Sequence, residues 1–449
     1  MINRRLSIVP FGILLLINVL ALWAAGKTVS ASAAEINAGD TAWLLAATGL
    51  VLLMTPGLAF FYGGMVNSRN VISTMLQSFV AMSVISVLWV VVGFSLAFGD
   101  TLGGFIGNPG TFFMFNGVLE GAPWSLAPTI PLALFAFFQL KFAIITPALI
   151  TGAFAERIKF TSYVLFLTLF SLLIYAPLAH WTWHPEGFLF KLGVLDFAGG
   201  TVVHMSAGMA ALASALYLKQ RKTHKEQVVH PPANIPYVLL GTGLLWFGWF
   251  GFNAGSAFGA NGLAASAFAT TNTASAAAAI TWIIFDAIKG KRPSALGFSI
   301  GAVVGLVAIT PAAGYVNIPA SIIIGTVAAL ISNTVAEWRS RTSLDDTLDV
   351  FPCHGVGGMV GMVLTGVFAT STINAAVVDQ GLFYGGLKLP LNHLIALIAV
   401  SAFAFLGSLA LLKITDLISP LRVSETEETE GLDMSQHGES LEAREKVMS

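Results

Sequence analysis

The sequence predicts an all-α polytopic membrane protein: eleven transmembrane helices, arranged as two inverted five-helix repeats plus a last helix. Three observations carry this. Apolar residues make up 56% of the 449 positions and charged residues only 10%, whereas a soluble domain carries about 25% charged residues. Apolar stretches of about 20 residues, the length that crosses a bilayer core, recur along the whole chain. Basic residues cluster in every second connection, as the positive-inside rule requires of a multi-pass chain.

Taken in order, the chain opens like an export signal. Arg4 and Arg5 precede an apolar run over 8–25, and Ala31-Ser32-Ala33 gives a small-residue cleavage pattern. Residues 1–34 are expected to be a signal peptide of bacterial type, with an uncleaved first span as the alternative. Residues 35–421 form the membrane domain, with spans expected at 41–66, 71–98, 128–155, 160–180, 197–218, 236–258, 264–288, 294–312, 318–337, 350–370 and 391–415. Arg69 follows the first span, Arg157 and Lys159 the third, Lys219, Arg221, Lys222 and Lys225 the fifth. Lys289, Lys291 and Arg292 follow the seventh, Arg339 and Arg341 the ninth, and Arg422 the eleventh. The other connections hold Lys191 and Lys388 as exceptions. This places the mature N-terminus outside and the C-terminus in the cytoplasm, in the inner (cytoplasmic) membrane. The outer loop over 99–124 is rich in Gly and Phe. Residues 422–449 turn polar and acidic and form a cytoplasmic tail; by composition alone it reads as disordered.

Composition also excludes functions. A net charge of -1 rules out a basic nucleic-acid footprint. The single cysteine, Cys353, cannot close an intramolecular disulfide. No histidine, cysteine or carboxylate set has metal-ligand spacing, and no cofactor is called for. The 45 glycines suit close helix packing.

Two segments resemble each other: Asp196-Phe-Ala-Gly-Gly-Thr-Val-Val-His204-Met-Ser-Ala-Gly-Met and Asp349-Val-Phe-Pro-Cys-His354-Gly-Val-Gly-Gly-Met. Thr48-Gly49-Leu50 in the first span likewise echoes Thr242-Gly243-Leu244 in the sixth. Five spans separate each pair, so the halves enter the membrane from opposite sides, as in transporters with inverted repeats. His204 and His354 each fall roughly 8–12 Å deep, one from each face. Imidazoles at that depth face a bundle interior or a cavity, and two of them can meet near the midplane. A structural hydrogen bond is the alternative for each ring taken alone.

With their neighbours, these segments resemble the ammonium transporter (Amt/Mep/Rh) family, of bacterial Amt type. The resemblance also rests on Phe60-Phe61-Tyr62-Gly63-Gly64, Gly152-Ala153-Phe154-Ala155-Glu156-Arg157, Trp249-Phe-Gly-Phe252-Asn-Ala-Gly-Ser256 and Glu430-Gly-Leu-Asp-Met-Ser-Gln-His-Gly. It spans about 41–440 and implies transport of ammonium or ammonia rather than enzymatic catalysis. It implies a homotrimer with one pore per subunit, a docked C-terminal segment, and in bacterial members a trimeric PII signal protein at the cytoplasmic face.

The resemblance assigns an outer recruiting site to Trp183, Phe138 and Ser256, a gate to Phe138 and Phe252, and a pore lining to His204 and His354. It gives Asp196 a supporting role; by position alone Asp196 is a helix cap. Without the resemblance, Trp183 reads as an interfacial belt residue beside Trp181. Asp346 and Asp349 read as caps and loop anchors. Lys141 departs from the family, in which this mid-span position is uncharged. Near Phe138 on its helix, it points into the lumen, pairs with an acid, or lies at the trimer seam. A non-conducting ammonium sensor is the competing function, although the tail holds no signalling domain. An intramembrane hydrolase built on Ser256 lacks an oriented histidine.

Overall fold

The computed structural model describes residues 4–25, 35–228 and 230–441. A leading helix covers Arg4–Ala25; the Ala31-Ser32-Ala33 motif lies outside the described residues. Eleven helices then form the membrane domain: α1 Ala38–Met65, α2 Ser68–Phe98, α3 Leu132–Phe154, α4 Phe160–Leu192, α5 Gly200–Leu218, α6 Ile235–Gly255, α7 Gly262–Ile288, α8 Ala295–Ile309, α9 Ile318–Ser340, α10 Phe351–Phe368 and α11 Lys388–Ile418. Ten are long and apolar enough to cross a membrane. α8 has 15 residues, about 22 Å of helix; it is followed by the buried turn residues 310–314.

Local chemistry sets several starts. Asn37, Asn234, Asn261, Ser294 and Asn317 accept the N–H three residues on and cap α1, α6, α7, α8 and α9. Two expected boundaries move. α4 runs beyond 180 to Leu192, through a π-helical turn at Ser171–Tyr175 and a break at His184. α3 starts at Leu132 rather than 128, because Pro131 has no N–H to give and stands at the cap position.

α1 and α6, the first helices of the two repeats, pack closely. A Cβ on Gly241 would sit 2.4 Å from Phe61 N, and one on Gly64 2.6 Å from Asn234 O. The echoed Gly49 and Gly243 face open space instead, so that echo marks no packing contact. α5 and α10 approach more closely still: a Cβ on Gly208 would fall 2.1 Å from Gly355 N.

One end of the bundle carries Trp183 and Asp196 and is called the vestibule end here. The loop over 99–124 covers it and includes a two-residue antiparallel ladder pairing Thr101 with Gly107. The other is the tail end. Its loops are tied by Arg221, which pairs with Glu156 at 2.6 Å and Asp345 at 2.8 Å. Burial alone would raise the Asp345 carboxyl, but hydrogen bonds and charge from Arg221 and the charge of Arg157 hold it well below the usual carboxylate range. Arg157 is fully buried, donates to Asp345 O and Thr347 Oγ1, and is lowered to about 10 by that burial.

The tail is docked rather than loose. Ser424 and Glu427 form a capping box that starts the helix Glu425–Glu430. Arg69 donates to Thr429 O at 2.7 Å. Asp433 then accepts the Ile72 and Ser73 N–H groups at 3.0 and 2.7 Å, so a tail carboxylate caps the first turn of α2 proper. Gly431, at φ +99, lies where a Cβ would meet Arg69 Cβ at 2.4 Å. Asp433→Ala is expected to cost about 1 kcal/mol, the worth of a helix cap. Its signature is faster tryptic cleavage after Arg422 in the solubilised protein.

Candidate functional site

Helices α3, α4 and α6 build the vestibule half of a path through the bundle. On α3, Phe135, Gln139 and Phe142 share one face at i, i+4 and i+7 and line a vestibule cavity of about 480 Å³. On α6 and its C-cap, Trp249, Phe252 and Ser256 fall at i, i+3 and i+7 along one stripe, running from the interior to the vestibule. Near the vestibule end of α4 stands Trp183, whose indole N–H donates to Asp196 O at 3.1 Å. Trp183, Phe142, Asp196 and Ser256 all line the vestibule cavity. The Ser256 hydroxyl donates to Phe252 O at 2.9 Å, which leaves its oxygen lone pairs for a guest.

Phe138 departs from expectation. It is fully buried and packs edge-on against Phe142 and Phe258, at 4.9 and 6.0 Å between ring centroids, and it is not among the vestibule-lining residues. The ring against Phe252 is Phe142, with centroids 4.2 Å apart, and Phe142 also meets Trp183 edge-on at 5.7 Å. The ring beside Phe252 thus lies one helical turn on from Phe138. Residue 138 is off the face formed by 135, 139 and 142, and residue 142 is on it.

Below the Phe142–Phe252 pair lies a second, much smaller cavity of about 10 Å³. His204 and His354 are its polar residues; Met54, Leu58, Phe61, Ile145, Leu149, Leu245, Val303, Trp249 and Phe252 complete it. The imidazole Nδ1 atoms face each other at 3.3 Å, with ring centroids 5.4 Å apart and planes 24° from parallel. Trp249 stacks on His204 at 5.4 Å. Facing Nδ1 atoms share one hydrogen when both rings are neutral, so the accepting ring carries its single hydrogen on Nε2 and the donating ring presents a bare Nε2. His204 Nε2 has no protein partner among the described residues.

Both histidines sit in π-helical turns, Gly200–Met205 and Phe351–Val356, at the first turn of their helices. A buried acid caps each turn. Asp196 accepts from Gly199 N, Gly200 N, Thr201 N and Thr201 Oγ1. Asp346 accepts from Val350 N and Phe351 N at 3.1 and 2.7 Å, and its carboxyl is pushed up to about 6 by burial and by the charge of Asp349. Asp346, rather than Asp349, is therefore the repeat partner of Asp196, at the same spacing from its histidine. Asp349 instead takes Arg339 at 2.7 Å. Equal spacing was the signal in the sequence that would have found this pair.

The model of the Ammonium Transporter Family matches residues 42–442. The chain belongs to the ammonium transporter family. A putative ammonium transporter of Methanothermobacter thermautotrophicus is 46% identical over 90% of this chain and 98% of its own. An ammonium transporter of Bacillus subtilis is 45% identical over 89% and 98%. Among solved structures, Saccharomyces cerevisiae Mep2 superposes with a TM-score of 0.82 at 35% identity, covering 87% of this chain and 88% of that one. A sensor Amt protein superposes at 0.80 with 28% identity over 89% and 98%.

In this family member Lys141 lines neither cavity. Its helix position turns it roughly 130° from the centre of the 135/139/142 face, and its Nζ lies 5.8 Å from the ring of Phe137, which is 40% exposed. It makes no ion pair among the described residues, so pairing with an acid of its own chain is not seen. The transporter's Lys141→Met variant is expected to match wild-type ammonium currents. A changed apparent affinity in that variant would restore a role in the lumen.

Proposed function

We propose that this transporter recruits ammonium in the vestibule, strips its proton there, and passes ammonia through the Phe142–Phe252 pair and along His204 and His354. The observation that carries the reading is the division of the path. A roomy, polar-edged cavity and a nearly closed apolar one meet at two phenyl rings, with paired imidazoles beyond. A bare cation in low dielectric costs tens of kcal/mol by Born estimates, so the inner segment favours an uncharged guest.

Trp183 offers its π-face and Ser256 an oxygen acceptor. A desolvated cation–π contact is worth about 2 kcal/mol. Asp196 acts by position: its carboxylate is already occupied by four donors and its carbonyl fixes the Trp183 indole. It organises the site and adds negative charge near the ion. The Nδ1–Nδ1 contact gives the released proton a route: a proton taken up at the bare Nε2 of one ring drives the shared hydrogen across to the other ring, which gives up its Nε2 hydrogen beyond.

In this reading the vestibule is outside and the tail end cytoplasmic, since Arg69, Arg157, Arg221 and Arg422 all gather at the tail end. The bacterial inner membrane, cleavage of residues 1–34, homotrimeric assembly and docking of a PII protein on the tail face belong to the same reading, through the family. The likeness to a sensor Amt protein favours a second reading, binding without conduction. Relatives at 42–46% identity named as transporters favour the first.

Ammonium pulses on proteoliposomes adsorbed to a solid-supported membrane test it. Wild type is expected to give a current, and Trp183→Leu a KM raised about tenfold or more, the equivalent of a lost cation–π contact. His204→Ala is expected to abolish charge movement. Folded wild type that binds ammonium yet passes neither current nor label would leave only the sensor.

A further inference from the structure

We infer that Gln139 is an ammonium-binding side chain, its carboxamide oxygen supplying the vestibule with an acceptor that Trp183 and Ser256 cannot. This deepens the proposed function and rests on it. Gln139 lies between Phe135 and Phe142 on the α3 face that lines the vestibule, and is 5% exposed. Its amide oxygen is buried and has no hydrogen-bond partner among the described residues. Leaving such a group unpaired costs about 1–3 kcal/mol. The other buried polar side chains on the cavity wall are engaged. Asp196 holds four donors, and the Thr182 hydroxyl meets that of Thr201 at 3.4 Å. Gln139 is the buried wall residue with acceptor capacity to spare.

The guest explains the vacancy. Ammonium has four N–H donors, and each must find an acceptor or π-face as water is left behind. Ring faces serve some of them and Ser256 Oγ one more. A carboxamide is suited to another because its ends are nearly isosteric: a half-turn about the terminal bond brings oxygen toward the ion without disturbing the packing. Neutrality matters as well. A carboxylate at this place would hold the cation by charge and oppose deprotonation, whereas an amide oxygen recognises N–H and lets the proton leave. Methylammonium brings one fewer N–H, so the acceptor contributes more to ammonium than to its methylated analogue.

The test uses the full chain in proteoliposomes, with ammonium and methylammonium as probes. Gln139→Leu is expected to raise KM for ammonium about tenfold and to raise that for methylammonium less, so that preference for ammonium falls. Gln139→Glu, closer in shape, is expected to lower KM for ammonium and to reduce the maximal current. Should Gln139→Leu fail to fold, as read by its thermal unfolding, Gln139→Glu decides alone. Wild-type KM and wild-type preference in a folded variant would overturn the inference while leaving transport intact. Absence of current from wild type would instead strike the transport reading itself.

Discussion

Helices α5 and α10 cross with no side chain between them. Gly208 lies against the backbone of Gly355, so closely that even a methyl group would collide. Each helix places a histidine within one turn of that crossing, and the contact sets the imidazoles 3.3 Å apart at Nδ1. Everything polar in the inner path depends on this approach. If the helices stood at an ordinary 8–10 Å between axes, two separate imidazoles would each need a partner in an apolar bundle. The pairing satisfies one nitrogen of each ring and leaves the other available toward the path.

The turns that carry the histidines are wound as π-helix and open their helices, so their first N–H groups, like those of any helix start, have no intrahelical acceptor. Asp196 and Asp346 take up those donors, each at the open end of its helix. Within the membrane an unsatisfied N–H costs several kcal/mol, and the acids supply the acceptors that these helix starts lack. Asp196 then acquires a second task through its backbone carbonyl, which fixes the indole of Trp183. Cap, wide turn and the Trp183 ring are thus mechanically joined. At the far end the tail closes the assembly, with Asp433 capping α2 and Arg221 holding Glu156 and Asp345.

Much of this was legible in the chain. The alternation of basic loops, the eleven apolar stretches and the Asn and Ser caps follow from local chemistry, and local chemistry survives folding. The histidines were legible because an ionisable residue deep in an apolar run demands an explanation. Phe142 and Gln139 were not. α3 is apolar on nearly every face, so no polar stripe marks which side looks inward, and a phenylalanine stands at 135, 137, 138 and 142 alike. Choosing among them requires knowing how α3 is rotated against α4 and α6. The tail was misread by composition for a related reason: two of its acids, Glu428 and Asp433, accept backbone N–H groups remote in sequence, from Lys222 and from Ile72 and Ser73.

The sequence by itself determined the eleven apolar stretches, the two histidines and the family, because hydrophobic length and local motifs act residue by residue along the chain. Tertiary structure alone decided that Phe142 faces Phe252, that Lys141 turns away from the path, and that Gln139 keeps an unclaimed acceptor at the vestibule wall. Those are matters of helix rotation and close approach. In a bundle whose helices are apolar all round, rotation is set by where glycines let backbones touch.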